Sequence, residues 1–228
     1  MTNIARIASA TLAGCLLSGA VASADSPHAL VTNNPGSSFS YQVDFNGSFW
    51  NGQRISFSRT ATVSVRADRA VHVVNSGKAP NDGSELDGTI GTDGLIASQN
   101  AGNRVESFNT VAGLLGKAPS ALGPGTTWTA VVPIQTSGTS QFSYLPVTVK
   151  VASSDANETI LQGTGAESIV SSYDGYSVPI DVSARFALRL GANGFDRCDF
   201  AANELVHAGS QVQNMQWTWS MTRLAERS

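Results

Sequence analysis

The sequence has few charged residues, few aromatic residues and very few lysines. Charged residues make up 14% of the 228 residues, aromatic residues 7%, and the formal net charge is −3. The lysines are Lys78, Lys117 and Lys150 and the arginines are scattered, so the chain lacks the basic patch of a nucleic-acid-binding protein. The small net charge also excludes a disordered acidic or basic tail. The apolar share of 41% therefore predicts a globular protein with a packed core.

Long apolar runs are also absent. The longest mildly apolar stretch, residues 7–21, is shorter than the about 20 apolar residues that a membrane-spanning helix needs, and serine and glycine interrupt it. Arg6 precedes this stretch, and the small residues Ala22-Ser23-Ala24 follow it. This pattern is typical of a secretory signal peptide in residues 1–24 that is cleaved between Ala24 and Asp25.

A second mode of export uses a cysteine in the same segment. Leu12-Ala13-Gly14-Cys15 resembles the lipobox of bacterial lipoproteins, which implies acylation of Cys15 and a membrane-anchored lipoprotein. Only fourteen residues precede Cys15 and the sequence stays apolar after it, so cleavage after Ala24 is favoured. Either mode places the protein in the periplasm or the extracellular space.

Cleavage leaves few cysteines in the mature chain. With Cys15 removed or acylated, Cys198 is the sole thiol, which excludes an intramolecular disulfide. The mature chain of 204 residues has 13 basic and 17 acidic side chains, a net charge of −4. We expect a flexible leader at 25–38, a single β-rich domain at 39–224 and a short C-terminal tail at 225–228.

Apolar and polar residues alternate strictly in several segments, which predicts half-buried β-strands. The positions expected to face the core are Phe39, Tyr41, Val43 and Phe45; Ile55, Phe57, Ala61, Val63 and Val65; every second residue from Val178 to Leu190; and Met215, Trp217, Trp219 and Met221. Arg59 falls on an apolar face, so it marks a bulge, an end of the sheet or an inward polar group. Asn109 or Thr110 is expected to cap the one short helix, near 110–116, and Gly116 to end it. The sequence thus predicts an all-β protein in which long antiparallel strands form a curved sheet, half-barrel or sandwich.

The sequence contains no motif of a catalytic, metal or cofactor site. Gly-x-Ser-x-Gly is absent, and His72 alternates outward between two valines. Cys198 and His207 form the densest cluster of potential ligands, yet no metal-binding spacing joins them. We interpret this segment as a buried cysteine beside an ordinary polar loop, and we expect no cofactor and no metal.

The remaining candidate for function is the apolar stripe on the last strand. Met215, Trp217, Trp219 and Met221, with Phe186 and Leu188, are candidates to bind a lipid or another apolar molecule on a concave sheet. The alternation is similar to that of the open half-barrels of periplasmic lipid and lipoprotein carriers. We therefore expect an exported, non-enzymatic protein that binds an apolar ligand or a hydrophobic segment of a partner.

Two alternatives stay open on the sequence alone. One is a secreted hydrolase whose site is assembled from distant carboxylates such as Asp44, Asp181 or Glu106. The other is an outer-membrane β-barrel, because such barrels also have alternating strands of about ten residues. The low aromatic content and the charged C-terminal segment disfavour this barrel. Neither the oligomeric state nor a catalytic residue can be derived from the sequence.

Overall fold

The computed structural model describes most of the chain between residues 36 and 225. The described residues are 36, 38–48, 52–66, 68, 70–77, 85–90, 96–98, 106–135, 142–173, 176–191 and 194–225. The N-terminal strands are β1 (Ser38–Ser48), β2 (Arg54–Val65), β3 (Ala70–Gly77), β4 (Glu85–Ile90) and β5 (Ile96–Ser98). Helix α1 (Glu106–Leu115) follows, and the remaining strands are β6 (Thr127–Gln135), β7 (Phe142–Ser154), β8 (Glu158–Tyr173), β9 (Tyr176–Gly191), β10 (Gly194–Ala208) and β11 (Gln211–Arg223).

The eleven strands form one antiparallel sheet in the order β5-β4-β3-β2-β1-β11-β10-β9-β8-β7-β6. The chain starts at the centre, runs outward to the edge strand β5, and returns through α1 to the opposite edge at β6. From there it runs back to the centre, where the last strand pairs with the first. The sheet is not closed, because β5 and β6 remain as separate edges. This architecture confirms the predicted all-β fold.

One face of the sheet forms the core, and it is the face that the alternation predicts. Tyr41, Val43, Ala61 and Val63 on the N-terminal strands are almost fully buried. They belong to one cluster with apolar residues of β6 to β11 and of α1, so the sheet curves around its own apolar face. Arg59 pairs with Val43 in an unbroken register and is buried, which makes it an inward polar group rather than a bulge.

Strand β10 corrects the interpretation of residues near Cys198 as a polar loop. These residues form a regular strand that pairs with β9 and β11 along most of its length. Its register with β9 shifts between Phe195 and Arg197, and Glu204 occupies a core position. Both features break the apolar alternation on which the sequence interpretation depends.

Helix α1 is confirmed near the predicted position, but it begins at Glu106, about one turn earlier. Thr110 therefore lies inside the helix instead of capping it. The Thr110 side chain is buried, and its hydroxyl donates a hydrogen bond of 3.4 Å to the carbonyl of Pro133 on β6. The Thr110 side chain thus attaches the helix to β6 and does not cap the start of the helix.

The helix packs closely against the edge strand β6. The indole Nε1 of Trp128 donates a 2.9 Å hydrogen bond to the carbonyl of Leu114, in the last turn of the helix, where carbonyls lack helical partners. A Cβ atom at Gly113 would lie 2.7 Å from the carbonyl oxygen of Val131, so only glycine allows this separation. The described part of the chain contains no helix that is long and apolar enough to cross a membrane.

Candidate functional site

The apolar stripe on β11 lies at the centre of the sheet. Its four residues, together with Phe186 and Leu188 on β9, face the core side and are all buried: Met215, Trp217, Trp219, Met221, Phe186 and Leu188. Because β11 lies between β1 and β10, the stripe faces neighbours from both halves of the chain. Packing in the core therefore accounts for the apolar character of these six residues.

An aromatic ladder crosses the four central strands on this apolar face. The ring of Phe57 on β2 stacks on Phe45 of β1 with ring centroids 5.0 Å apart. Phe45 lies 6.5 Å from Trp217 of β11, which stacks at 5.2 Å on Phe200 of β10. Phe200 in turn stacks at 5.3 Å on Trp219. These five rings, Phe57, Phe45, Trp217, Phe200 and Trp219, are the aromatic ladder.

Solvent exposure changes along the aromatic ladder. Phe200 and Trp219 are 2% and 6% exposed, whereas Phe45 and Phe57 are only partly buried. Ile55 precedes Phe57 on the same face and is partly buried as well. The apolar face is therefore accessible at the end of β1 and the start of β2. An aromatic surface that continues from solvent into the core offers contact to an apolar molecule without exposing the core itself.

A buried carboxylate lies beside the ladder. Glu204 on β10 is fully buried, and its Oε1 accepts a 3.0 Å hydrogen bond from the indole Nε1 of Trp217. A charged or polar group at this depth is costly unless it is hydrogen-bonded, so this bond stabilises both side chains. It also fixes the orientation of the Trp217 ring within the ladder.

Two more polar side chains are buried on the same face. The Cζ of Arg59 lies 5.8 Å from the centre of the Phe57 ring, within the range of a cation–π interaction. Asn75, on the neighbouring strand β3, is only 4% exposed, and neither its Oδ1 nor its Nδ2 has a hydrogen-bond partner among the described residues. An amide left without a partner at this depth costs about 1 to 3 kcal/mol. A bound water or a polar ligand group would satisfy Asn75.

The structure separates the Cys198–His207 cluster. Cys198 faces the core, where burial raises the pKa of its thiol well above the usual range. His207 lies on the polar face of β10, nine residues and about 30 Å farther along the strand. The described residues contain no group of three or more His, Cys, Asp and Glu side chains placed to hold a metal ion.

The carboxylates considered for a hydrolase do not meet. Asp44 and Asp181 both lie on the polar face, but three strand spacings and six residues of register separate them. This amounts to about 14 Å across the strands and about 20 Å along them. Paired carboxyl groups of glycoside hydrolases are about 5 to 10 Å apart. The side chain of Glu106 lies outside the described residues.

Asp181 forms a small network with a serine and a histidine. Ser168 Oγ donates a 2.6 Å hydrogen bond to Asp181 Oδ1, and His207 Nε2 lies 2.8 Å from Asp181 Oδ2. The bond from Ser168 and then the bond from His207 lower the pKa of Asp181. A serine hydrolase needs the histidine between the serine and the acid, whereas here the acid lies between the other two. The network therefore links neighbouring strands and does not form a nucleophilic triad.

Some predicted residues lie outside the described part of the chain, and one buried residue was missed. Cys15 and the cleavage site at Ala24 and Asp25 fall outside the described residues. Sequence analysis did not identify Asn75, although it continues the period-two pattern of Val71 and Val73 on the core face. A polar residue in phase with buried valines is the signal that marks it.

Comparison with known proteins gives no family. No family model matches the chain, and no curated protein matches it. Among solved structures, the hypothetical lipoprotein YmcC from Escherichia coli K12 is 14% identical, covers 81% of this chain and 87% of its own, and has a TM-score of 0.17. A protein of unknown function from the DUF3598 family of Nostoc punctiforme is 10% identical, covers 88% and 99%, and has a TM-score of 0.20. TM-scores this low support no argument about fold or function.

Proposed function

We propose that this protein is an exported, non-catalytic binding protein that takes an apolar or amphipathic molecule at the accessible end of its aromatic ladder. The observation that carries the proposal is the gradient of exposure from Phe57 and Phe45 to Phe200 and Trp219. A hydrocarbon chain that enters at Phe57 would cover the apolar surface now open to water, at about 25 cal/mol per Å².

The buried polar side chains favour a ligand with one polar end. Arg59 follows Phe57 by one alternation on the same face, and Asn75 lies on the next strand. A carboxylate on the ligand would pair with the guanidinium of Arg59, and its second oxygen would accept from the Asn75 amide. A long-chain fatty acid has this combination of an apolar body and a carboxylate, so it is the chemical class to test first.

Export is part of the proposal. The mature protein begins at Asp25, or at an acylated Cys15 if the lipobox is used. Intact-mass measurement of the protein from its native envelope distinguishes the two, because cleavage after Ala24 gives an unmodified chain of 204 residues. A full-length chain with its first 24 residues retained would contradict export by either mode.

Fatty-acid binding is measured by tryptophan fluorescence, to which the ladder residues Trp217 and Trp219 contribute together with Trp50 and Trp128. The mature protein is titrated with oleic acid and, separately, with decane, which lacks the carboxylate. Phe57→Ser is expected to weaken oleic acid binding about five- to tenfold, because a half-buried ring contributes about 1 to 1.5 kcal/mol of contact. Tyr144→Ser is the matched control, since Tyr144 is an exposed aromatic residue on the opposite face of the sheet.

Each result of these titrations tests a different part of the proposal. Equal weakening by Phe57→Ser and Tyr144→Ser would show that the ladder is not the site. No change of Trp fluorescence and no bound oleic acid at saturation would remove the binding proposal. Binding of oleic acid and decane with equal affinity would retain the apolar site but exclude the role of Arg59.

A further inference from the structure

The polar face of the sheet has a groove of its own. Its volume is about 800 Å³, and it runs across the strands from β6 to β11, on the side opposite the aromatic ladder. The walls are formed by side chains from two register rows that are neighbours on the polar face and two residues apart along each strand. A row whose side chains point into the core lies between the two walls and also lines the groove: Val147, Gly165, Ala184, Ala202 and Trp217. Trp217 is thus a residue of both the groove and the aromatic ladder.

The first wall is rich in threonine. In register order across the sheet it contains Thr129, Thr148, Thr164, Arg185, Ala201 and Thr218. Each threonine hydroxyl can donate one hydrogen bond and accept others. Thr164 and Arg185 are exposed, so they are accessible to a ligand that lies in the groove.

The second wall adds amides and a further hydroxyl. Ser183, Asn203 and Gln216 follow one another in a register row along this wall. The Oδ1 of Asn203 is buried and has no hydrogen-bond partner among the described residues. A donor on a bound molecule would remove the cost of that unsatisfied oxygen.

The composition of the groove excludes several ligand classes. Among the described residues, no aspartate or glutamate lines it, which disfavours a metal cation. The backbone groups of its floor are engaged in the ladders of a continuous sheet, so an extended peptide cannot add to the sheet as a strand. The walls offer many neutral groups that both donate and accept, plus one cation. This combination suits a molecule rich in hydroxyl groups that also has an anionic group.

The dimensions suit a single chain of sugar units. Five strand spacings give a length of about 24 Å. A volume of about 800 Å³ over that length makes the groove long and narrow. At the β7 end of the groove, Tyr144 lies one alternation beyond the lining residue Pro146, and its side chain is 64% exposed. An exposed aromatic ring offers the apolar face of a sugar a surface for stacking.

We propose that this groove binds an acidic oligosaccharide, whose hydroxyl groups bond to the threonine and amide side chains and whose carboxylate pairs with Arg185. The groove and the aromatic ladder lie on opposite faces of the sheet, and Trp217, which lines the groove, points its side chain toward the ladder face. The two binding activities are therefore expected to be independent of each other.

The test is calorimetric titration of the mature protein with hexagalacturonate and with the uncharged cellohexaose. Ala201→Trp places a large ring in the first wall of the groove, directly beside Arg185, and is expected to weaken hexagalacturonate binding at least tenfold. Ala187→Trp is the matched control, because Ala187 is also a half-buried alanine on the polar face but lies outside the groove. The control is expected to bind within twofold of the wild type.

A second pair of variants tests the charge and does not depend on the fit of a tryptophan. Arg185→Gln is expected to weaken hexagalacturonate about tenfold and to leave cellohexaose unchanged. Arg189→Gln, on the same strand and face but outside the groove, is expected to change neither. Near-UV circular dichroism verifies that each variant retains the native packing of its aromatic residues.

Several results would overturn the proposal. It is wrong if neither sugar binds, if Ala201→Trp and Ala187→Trp behave alike, or if Arg185→Gln affects both sugars equally. A serine- and glutamate-rich peptide that displaces hexagalacturonate and fails to bind Ala201→Trp would identify a peptide groove instead. Loss of oleic acid binding in a natively folded Ala201→Trp protein would contradict the independence of the two sites.

Discussion

Replacement of Gly163 by alanine tests how the curved sheet packs in its C-terminal half. Gly163 lies on the core face of β8, directly opposite Phe186 of β9. A Cβ atom there would overlap the ring of Phe186 and would lie 2.6 Å from the carbonyl oxygen of Thr148 on β7. The ring is 5% exposed and has no free space, so it must rotate out of its packed position.

The expected cost combines two opposing effects. Overpacking of a core destabilises the folded state by about 1 to 3 kcal/mol. Alanine has less conformational entropy than glycine in the unfolded state, which stabilises the variant by about 0.5 to 1 kcal/mol. We therefore expect Gly163→Ala to lower the free energy of unfolding by about 1 to 2 kcal/mol. For a chain of this size, that corresponds to a fall in Tm of about 2 to 8 °C. Urea denaturation followed by circular dichroism measures the change.

Two controls make the result specific to the Phe186 ring. Gly123→Ala should change the free energy of unfolding by less than about 0.5 kcal/mol, because its new Cβ meets only Thr126 Oγ1, at 3.8 Å. In a Phe186→Leu background, Gly163→Ala should cost less than in the wild type, because the ring that it displaces is gone. An undiminished cost in that background, or a Gly163→Ala protein as stable as the wild type, would refute this account of the packing.

Two further predictions concern ionisable groups in the core. Burial raises the pKa of Tyr41 to about 12 from 10.0, so the folded state favours the neutral phenol. This stabilisation is complete below pH 10 and is lost as the pH rises from 10 to 12. It amounts to about 3 kcal/mol. Urea denaturation at pH 8 and pH 11.5 should show a loss that Tyr41→Phe largely removes, and an equal loss in that variant would exclude Tyr41 as its source. The Cys198 thiol should react with Ellman's reagent only after urea unfolding, and rapid labelling of the native protein would contradict its burial.

The sequence predicted those strands whose apolar alternation has no interruption. Strands β1, β9 and β11 show period two over most of their length, and β2 does so apart from Arg59; their core faces are as expected. The apolar alternation of strand β8 stops after Leu161, because Gly163 and Gly165 then occupy core positions where an apolar side chain would continue the pattern. The ring of Phe186, a residue of another strand, fills the space above Gly163. A local pattern contains no information about that partner.

The same limit applies to the candidate site. Trp217 and Trp219 could be placed on one apolar face from the sequence, since both lie on a single strand. The aromatic ladder could not, because it also needs the register of β11 with β1 and the register of β1 with β2. The stacked pair of Phe45 and Trp217 joins residues from opposite ends of the chain. The groove on the polar face likewise depends on the registers of six strands.

The position of the ladder follows from the order in which the strands join. The N-terminal strands β1 to β5 supply Phe45 and Phe57, and the C-terminal strands β6 to β11 supply Phe200, Trp217 and Trp219. Among the described residues, the two halves are hydrogen-bonded as neighbouring strands only where β1 pairs with β11. Rings that stack across this pairing stabilise the contact that needs the longest loop closure. An apolar ligand seated on Phe45 and Trp217 would contact both halves, so the proposed binding would involve the same residues that complete the sheet.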